Sequence, residues 1–287
     1  MLIKLHNGPA KFTIDTKGAY IRTWQVGRHI GLYSNPDKPN RATHPCGPNF
    51  GPLSLNTPKD GEYTVGEKKY KLPQHGFLRE REWRIDHLEQ SSVILSLQNT
   101  HENFDKQLFD AYPYNFRFLL ALKLSAGKLI YELSFTNLNE AGCAPVDLAS
   151  HTYHPLEPGM TIKGLSGLKY IDNLDPSAPP QELKGDLKEE LLGGSQETNP
   201  HFWTEGRKKF ILDYPQSGKR ITLRTGYGWG ASAPERIVVW SKPSEGNFVC
   251  VEPLIHGANS FNLNRKAVEV PPGKTVSLSF MLNLMEI

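Results

Sequence analysis

What most constrains this chain is a period-two alternation of apolar and polar residues, since only an extended strand places residues i, i+2 and i+4 on one face. In FRFLLALKL, residues 116–124, the apolar set Phe116, Phe118, Leu120, Leu122 and Leu124 falls on a single side. In LIYELSF, residues 129–135, Leu129, Tyr131, Leu133 and Phe135 do the same. The intervening Ser125-Ala126-Gly127-Lys128 reads as a hairpin turn. Val93, Leu95 and Leu97 repeat the pattern, as do Val276, Leu278, Phe280, Leu282 and Leu284. Further strands are expected over 20–26, 209–214, 220–225 and 236–241.

The 25 glycines and 22 prolines cut the chain into short segments. Helical signals are scarce: DLKEELL, 186–192, ahead of Gly193-Gly194, reads as one short helix with a glycine stop. The Pro-rich NLDPSAPPQ, 173–181, lies between similar strand runs and reads as a surface loop, not a domain boundary. The expectation is an all-β chain folded as a large antiparallel β-sandwich, one domain over residues 1–287.

Several function classes drop out. A formal charge of +3, with Lys and Arg interspersed among Asp and Glu, demands neither nucleic acid nor a membrane surface. No apolar run approaches the roughly 18 residues of a membrane span, and the N-terminal MLIKLHNGPAKF lacks a signal-peptide core. Cys46, Cys143 and Cys250 are odd in number and far apart, which points to reduced thiols in the cytoplasm and to no structural metal site. Phosphate-binding glycine loops, HExxH, CxxC and GxSxG are all missing.

Three polar features stand in odd company. His75, in PQHGFLR, precedes a glycine and is presented at a turn; the alternative is a plain surface histidine. His151 and His154, in ASHTYHP, would point to opposite faces of a strand, so they serve a single metal badly. One of them facing a pocket competes with a satisfied core histidine. Glu252, in FVCVEP, shares a strand face with Phe248 and Cys250. There it is either a buried carboxyl with its pKa raised toward neutrality, suited to general base work, or a strand-end glutamate in solvent.

The order of these elements resembles the aldose 1-epimerase (mutarotase) superfamily. CGPNFGP at 46–52, followed by His75, Gly76, Phe77, Arg79 and Trp83, is similar to its hexose-6-phosphate mutarotase branch, and so are GLSGLKYID, 164–172, and VVWSKP, 238–243. The resemblance implies a galactose-mutarotase-like supersandwich that interconverts α and β anomers of an aldose, a hexose 6-phosphate in that branch, without metal or cofactor. It makes His151 the general acid at the ring oxygen and Glu252 the general base at the anomeric hydroxyl. It places His75 on the sugar and gives Arg79 and Arg41 an anionic group such as the 6-phosphate. Asn199 and Pro200 stand where the family often carries an Asp-Arg pair, leaving Asn199 and His201 as candidate sugar contacts. Pro52 replaces an arginine of the galactose-type branch. The implied partner is a small sugar or sugar phosphate, with the chain a monomer or weak dimer. The competing expectation is a sugar-binding protein without activity on the same scaffold.

Overall fold

The computed structural model describes residues 1–51, 61–192, 194, 196–227, 233–263 and 268–287. Pro52 and Gly193 lie outside the described residues. Two large antiparallel sheets carry the fold. One has nine strands in the order Leu187–Lys188, Thr161–Lys163, Lys209–Tyr214, Lys219–Thr225, Thr275–Glu286, Lys128–Asn137, Phe116–Ser125, Ser92–Asn99, Arg84–Leu88. The other runs Gln181–Glu182, Lys169–Asp172, Pro200–Trp203, Arg236–Trp240, Phe248–Leu254, Ala149–His151, His44–Cys46, with Tyr153–Pro155 pairing beside Phe248–Leu254. A four-stranded meander opens the chain, Leu2–Asn7, Ala10–Asp15, Ile21–Val26 and His29–Ile30.

The alternating runs are strands, and their apolar faces form the core. Phe118 lies with its ring centroid 5.1 Å from Phe135, 5.3 Å from Phe116 and 6.3 Å from Phe77. The turn between Phe116–Ser125 and Lys128–Asn137 has positive φ at both Ala126 and Gly127, which matches the twist of a tight hairpin. The helix expected at 186–192 is shorter than its sequence suggests, covering Glu189–Leu192. Leu187 and Lys188 instead extend the nine-stranded sheet by pairing with Ile162 and Thr161. Edge pairing overrides local helix propensity there. Among the described residues no helix is long and apolar enough to cross a membrane.

The eight-stranded sheet separates two tasks by the same period of two. Ile237, Val239, Val249, Val251 and Phe202 point into the main core and are fully or almost fully buried. The alternate residues, among them Val238, Trp240, Cys250, Glu252 and His201, face the other way. That second face is where the polar residues gather.

Phe118→Ala is expected to lower the unfolding free energy by about 3–5 kcal/mol, because it removes a fully buried ring amid other rings. Urea unfolding followed by tryptophan fluorescence reads this directly. A loss below about 1 kcal/mol would show that the cluster repacks.

Candidate active site

Strand pairing lines up one row of side chains across the outer face of the eight-stranded sheet. His44 pairs with His151. The register Ala149↔Leu254, resumed at Tyr153↔Cys250, sets His151 opposite Glu252. Glu252 pairs with Val238, Val238 with His201, and His201 with Ile171. Directly paired residues of an antiparallel sheet share a face, so the row His44, His151, Glu252, Val238, His201 presents its chemistry on one surface.

Two loops cover this row. In 73–76 the Gly76 N–H donates to the Pro73 carbonyl at 2.9 Å, closing a β-turn. His75 sits in that turn at φ 65°, a left-handed conformation that glycine adopts more readily. What holds it there is the neighbouring loop 47–51. The Gly47 N–H donates to the His75 carbonyl at 3.1 Å, and the Phe77 N–H donates to the Gly47 carbonyl at 3.0 Å. The His75 N–H reaches the Gly51 carbonyl at 3.2 Å. Gly76 is required on two counts: its φ is 70°, and a Cβ there would stand 1.9 Å from the Gly47 carbonyl oxygen. Phe77 anchors the turn in the core, and Trp83 donates its indole N–H to the Leu78 carbonyl at 3.0 Å.

The seven residues to which the resemblance gives a role wall one cavity of about 260 Å3: Arg41, His75, Arg79, His151, Asn199, His201 and Glu252. His154 does not. It points away, its Nδ1 3.3 Å from the Gly31 carbonyl, and burial pulls its pKa to about 4. His151 Nδ1 lies 3.5 Å from Glu252 Oε1. The His151 ring stacks on Tyr153 at 4.7 Å and on His44 at 5.1 Å, and meets His75 edge-on at 5.2 Å. The Gly51 N–H donates to His75 Nδ1 at 3.2 Å, which leaves the His75 proton on Nε2.

Burial governs the electrostatics. Glu252 is 1% exposed, and desolvation raises its pKa well above the ordinary carboxylate value. Burial drives His151 well below the usual histidine range, reinforced by the nearby His44 and His75. His75 falls likewise through burial, then through the field of Arg79. His44 and His201 are pulled to about 3, first by burial. Burial therefore favours the uncharged form of each group on the floor, the carboxyl at Glu252 and the neutral imidazole at the four histidines.

The walls are charged but mostly balanced. Arg41 pairs with Glu245, and Lys242 lies 3.3 Å from Glu197 and 3.4 Å from Glu245. Trp240 donates its indole N–H to Glu197 at 2.8 Å. Arg79 donates to the Gln74 carbonyl at 3.0 Å, and among the described residues no carboxylate pairs with it. The His201 Nε2–H donates to Asn199 Oδ1 at 3.1 Å. His151, Cys250 and Glu252 bring donor atoms within 4.8 Å of one another, a set able to hold a metal ion.

Sequence reasoning missed His44, Tyr153 and the Glu197–Lys242–Glu245 group. Trp240 and Lys242 lie in the quoted VVWSKP, but their place on the cavity depends on long-range pairing that no local pattern carries.

The antiparallel sandwich with a histidine–glutamate cleft on one face defines a galactose-mutarotase-like fold. The family model of aldose 1-epimerase matches residues 1–276, and the chain belongs to that family. It is 23% identical over 226 residues to the LacX protein of Lactococcus lactis subsp. lactis, covering 72% of this chain and 70% of LacX. In structure it is similar to the Slr1438 protein of Synechocystis sp. PCC 6803, with a TM-score of 0.83 and 18% identity over 100% of this chain and 96% of that one. A galactose mutarotase-like protein of Lactobacillus casei ATCC 334 gives a TM-score of 0.80 and 18% identity over 99% of this chain and 100% of its own.

Gly76→Ala is expected to cost at least about 2 kcal/mol, combining left-handed strain of about 1–2 kcal/mol with the clash on Gly47. Gly142→Ala, equally left-handed at φ 84° but with open space around it, is expected to cost only the strain. Paired urea melts of the two variants check the difference, and equal losses would remove the loop-locking argument.

Proposed function

We propose that the protein is a mutarotase acting on hexose 6-phosphates, working as one unit over residues 1–287, as a monomer or weak dimer in the cytoplasm, without metal or cofactor. Membership of the aldose 1-epimerase family supports sugar mutarotation in general. The observation that carries the mechanism is the approach of His151 Nδ1 to Glu252 Oε1 at 3.5 Å on the floor of a polar cavity. The three cysteines are free thiols, which fits a reducing compartment.

Mutarotation moves two protons. Glu252 takes one from the C1 hydroxyl, and His151 delivers one to the ring oxygen. The C1–O5 bond breaks, C1 becomes an aldehyde, and rotation about C1–C2 precedes closure on the other face. Closure returns both protons by the same route. Opening starts with a protonated His151 and an ionised Glu252; closure starts with both groups neutral. Burial favours the neutral arrangement, the form that performs closure, and the 3.5 Å approach of His151 Nδ1 to Glu252 Oε1 keeps the two groups on the same substrate atoms. His75 offers its Nε2–H to a substrate oxygen, and Asn199 and His201 bind hydroxyls on the far side of Glu252. Arg79, the wall cation without a carboxylate partner, gives the cleft a net positive field that favours a phosphorylated sugar.

Exchange NMR at the anomeric proton of glucose 6-phosphate tests this reading. Glu252→Gln and His151→Ala are each expected to slow exchange by at least about a hundredfold, the low end of what positioned proton transfer supplies. Wild-type rates from Glu252→Gln would sink the mechanism. Binding without accelerated exchange of any aldose would leave a sugar-binding protein.

The active pair carries one shared proton, so kcat/KM should be bell-shaped in pH. The acid limb is expected below the ordinary histidine range, where His151 gains a second proton, and the alkaline limb above the ordinary carboxylate range, where Glu252 loses its own. The sign for stability follows. With its folded pKa raised, Glu252 binds more protons in the native state, so stability falls as pH rises between the ordinary and the raised value. Glu252→Gln should remove that loss and raise the Tm at neutral pH while abolishing activity. A Tm below wild type would contradict the costly-carboxyl account.

A further inference from the structure

Beside the main cavity lies a second one of about 140 Å3. Asn173, His201 and Ala258 wall both, so the two adjoin at the His201 end of the row. The smaller cavity adds Arg236, which the sequence reading left unassigned. Arg236 shares its strand face with Val238, two residues on, and Val238 pairs with Glu252. Its guanidinium lies 3.7 Å over the Trp203 ring, on the cross-strand partner Trp203. Stacking of this kind fixes the plane of the fork and leaves its N–H edges for another ligand.

No counter-ion satisfies it among the described residues. The adjacent carboxylate, Glu235, points to His256, whose Nδ1 is 3.4 Å away. Burial pulls the Arg236 pKa down to about 10, so the group remains a cation at neutral pH, partly stripped of water and unpaired. A desolvated guanidinium of this kind is costly unless an anion completes it. From Glu252 to Arg236 is one strand spacing across and two residues along, on the order of 8 Å between backbones. That distance suits a hexose whose C1 lies over Glu252 and whose far end carries a charged group.

We infer that the side cavity seats an anionic substituent of the sugar, a phosphate or a carboxylate remote from C1, with Arg236 as its ligand. This rests on the reading that sugars bind over Glu252. Arg41 is already paired with Glu245, and Arg79 lies at the opposite, His44 end of the row, so Arg236 is the cation placed to grip the group at the His201 end.

The test measures kcat/KM by anomer-exchange NMR for glucose 6-phosphate, glucuronate and glucose on wild type, Arg236→Gln, Arg236→Lys and Arg79→Gln, with 31P NMR titration of glucose 6-phosphate. Arg236→Gln is expected to lower the preference for the anionic sugar over glucose by about ten- to a hundredfold, the worth of a charge-assisted hydrogen bond. Arg236→Lys should retain part of it. A loss confined to glucose 6-phosphate assigns the seat to phosphate, and one confined to glucuronate assigns it to a carboxylate. An unchanged preference in Arg236→Gln, or a loss seen only in Arg79→Gln, overturns the inference. So does an equal fall for all three sugars with a lowered Tm, which would make the Trp203 stack purely structural. If wild type binds glucose 6-phosphate through Arg236 yet exchanges no anomers, the seat stands and the mutarotase reading falls. If it exchanges free sugars but binds no anion, the reverse holds.

Discussion

A carboxyl group buried in the middle of a sheet, with no cation beside it, sets the terms for everything around it. Glu252 is surrounded by Cys250, Val238 and the His151 ring, and its Oε2 has no hydrogen-bond partner. An arginine in contact would hold it ionised and pull its pKa down, fixing the proton on one side of the reaction. The cleft instead keeps its guanidinium groups on the walls and ends, and faces the carboxyl with an imidazole that burial also keeps neutral. Each partner is pushed toward its uncharged form, so the transferable proton belongs to the pair.

Burial of that kind needs a wall beside the sheet, and part of that wall is held by backbone hydrogen bonds. Loops 47–51 and 73–78 exchange hydrogen bonds at Gly47, Gly51, His75 and Phe77. The left-handed strain at His75 and the close approach at Gly76 are local costs, met by the Phe77 ring sunk into the Phe116–Phe118 cluster. The residues that look catalytic in HGFLREREW therefore divide: His75 and Arg79 wall the cavity, while Gly76, Phe77 and Trp83 hold them there.

Much of the fold was legible because a strand's two faces are written locally. Phe116 to Leu124 and Leu129 to Phe135 needed no partner to be read, and the Ala126-Gly127 turn joins them as expected. The 186–192 segment was misjudged because its helical composition is local while its edge pairing with Thr161–Ile162 is not. The site was less legible for the same reason. Glu252 could as well have been a solvent-facing strand end; only the cross-strand register places it opposite His151. His44 had no signal at all, since its role comes from pairing with a residue 107 positions away, as the register His151↔His44 shows (151 − 44). Family resemblance stood in for that missing long-range information at His151 and Glu252, and it offered nothing for His44 or Arg236.

The same strands that stabilise the molecule also position its chemistry. Val249 and Val251 close the core while Cys250 and Glu252, one residue out of phase, point to the opposite face, where Glu252 walls the cavity. A one-residue slip of Phe248–Leu254 would expose the valines and bury the glutamate in the core, so packing energy enforces the register that sets Glu252 opposite His151. Ionic balance completes the design. Arg41 with Glu245 and Lys242 with Glu197 neutralise one wall, and the two cavity-lining cations for which the described residues supply no carboxylate partner stand at opposite ends of the row, Arg79 near His44 and Arg236 near His201. A neutral sugar ring can lie across the uncharged middle while a charged substituent finds its complement only at an end. On the proposed reading, the cleft would orient its ligand by where positive charge is left over, while keeping that charge away from the Glu252 carboxyl.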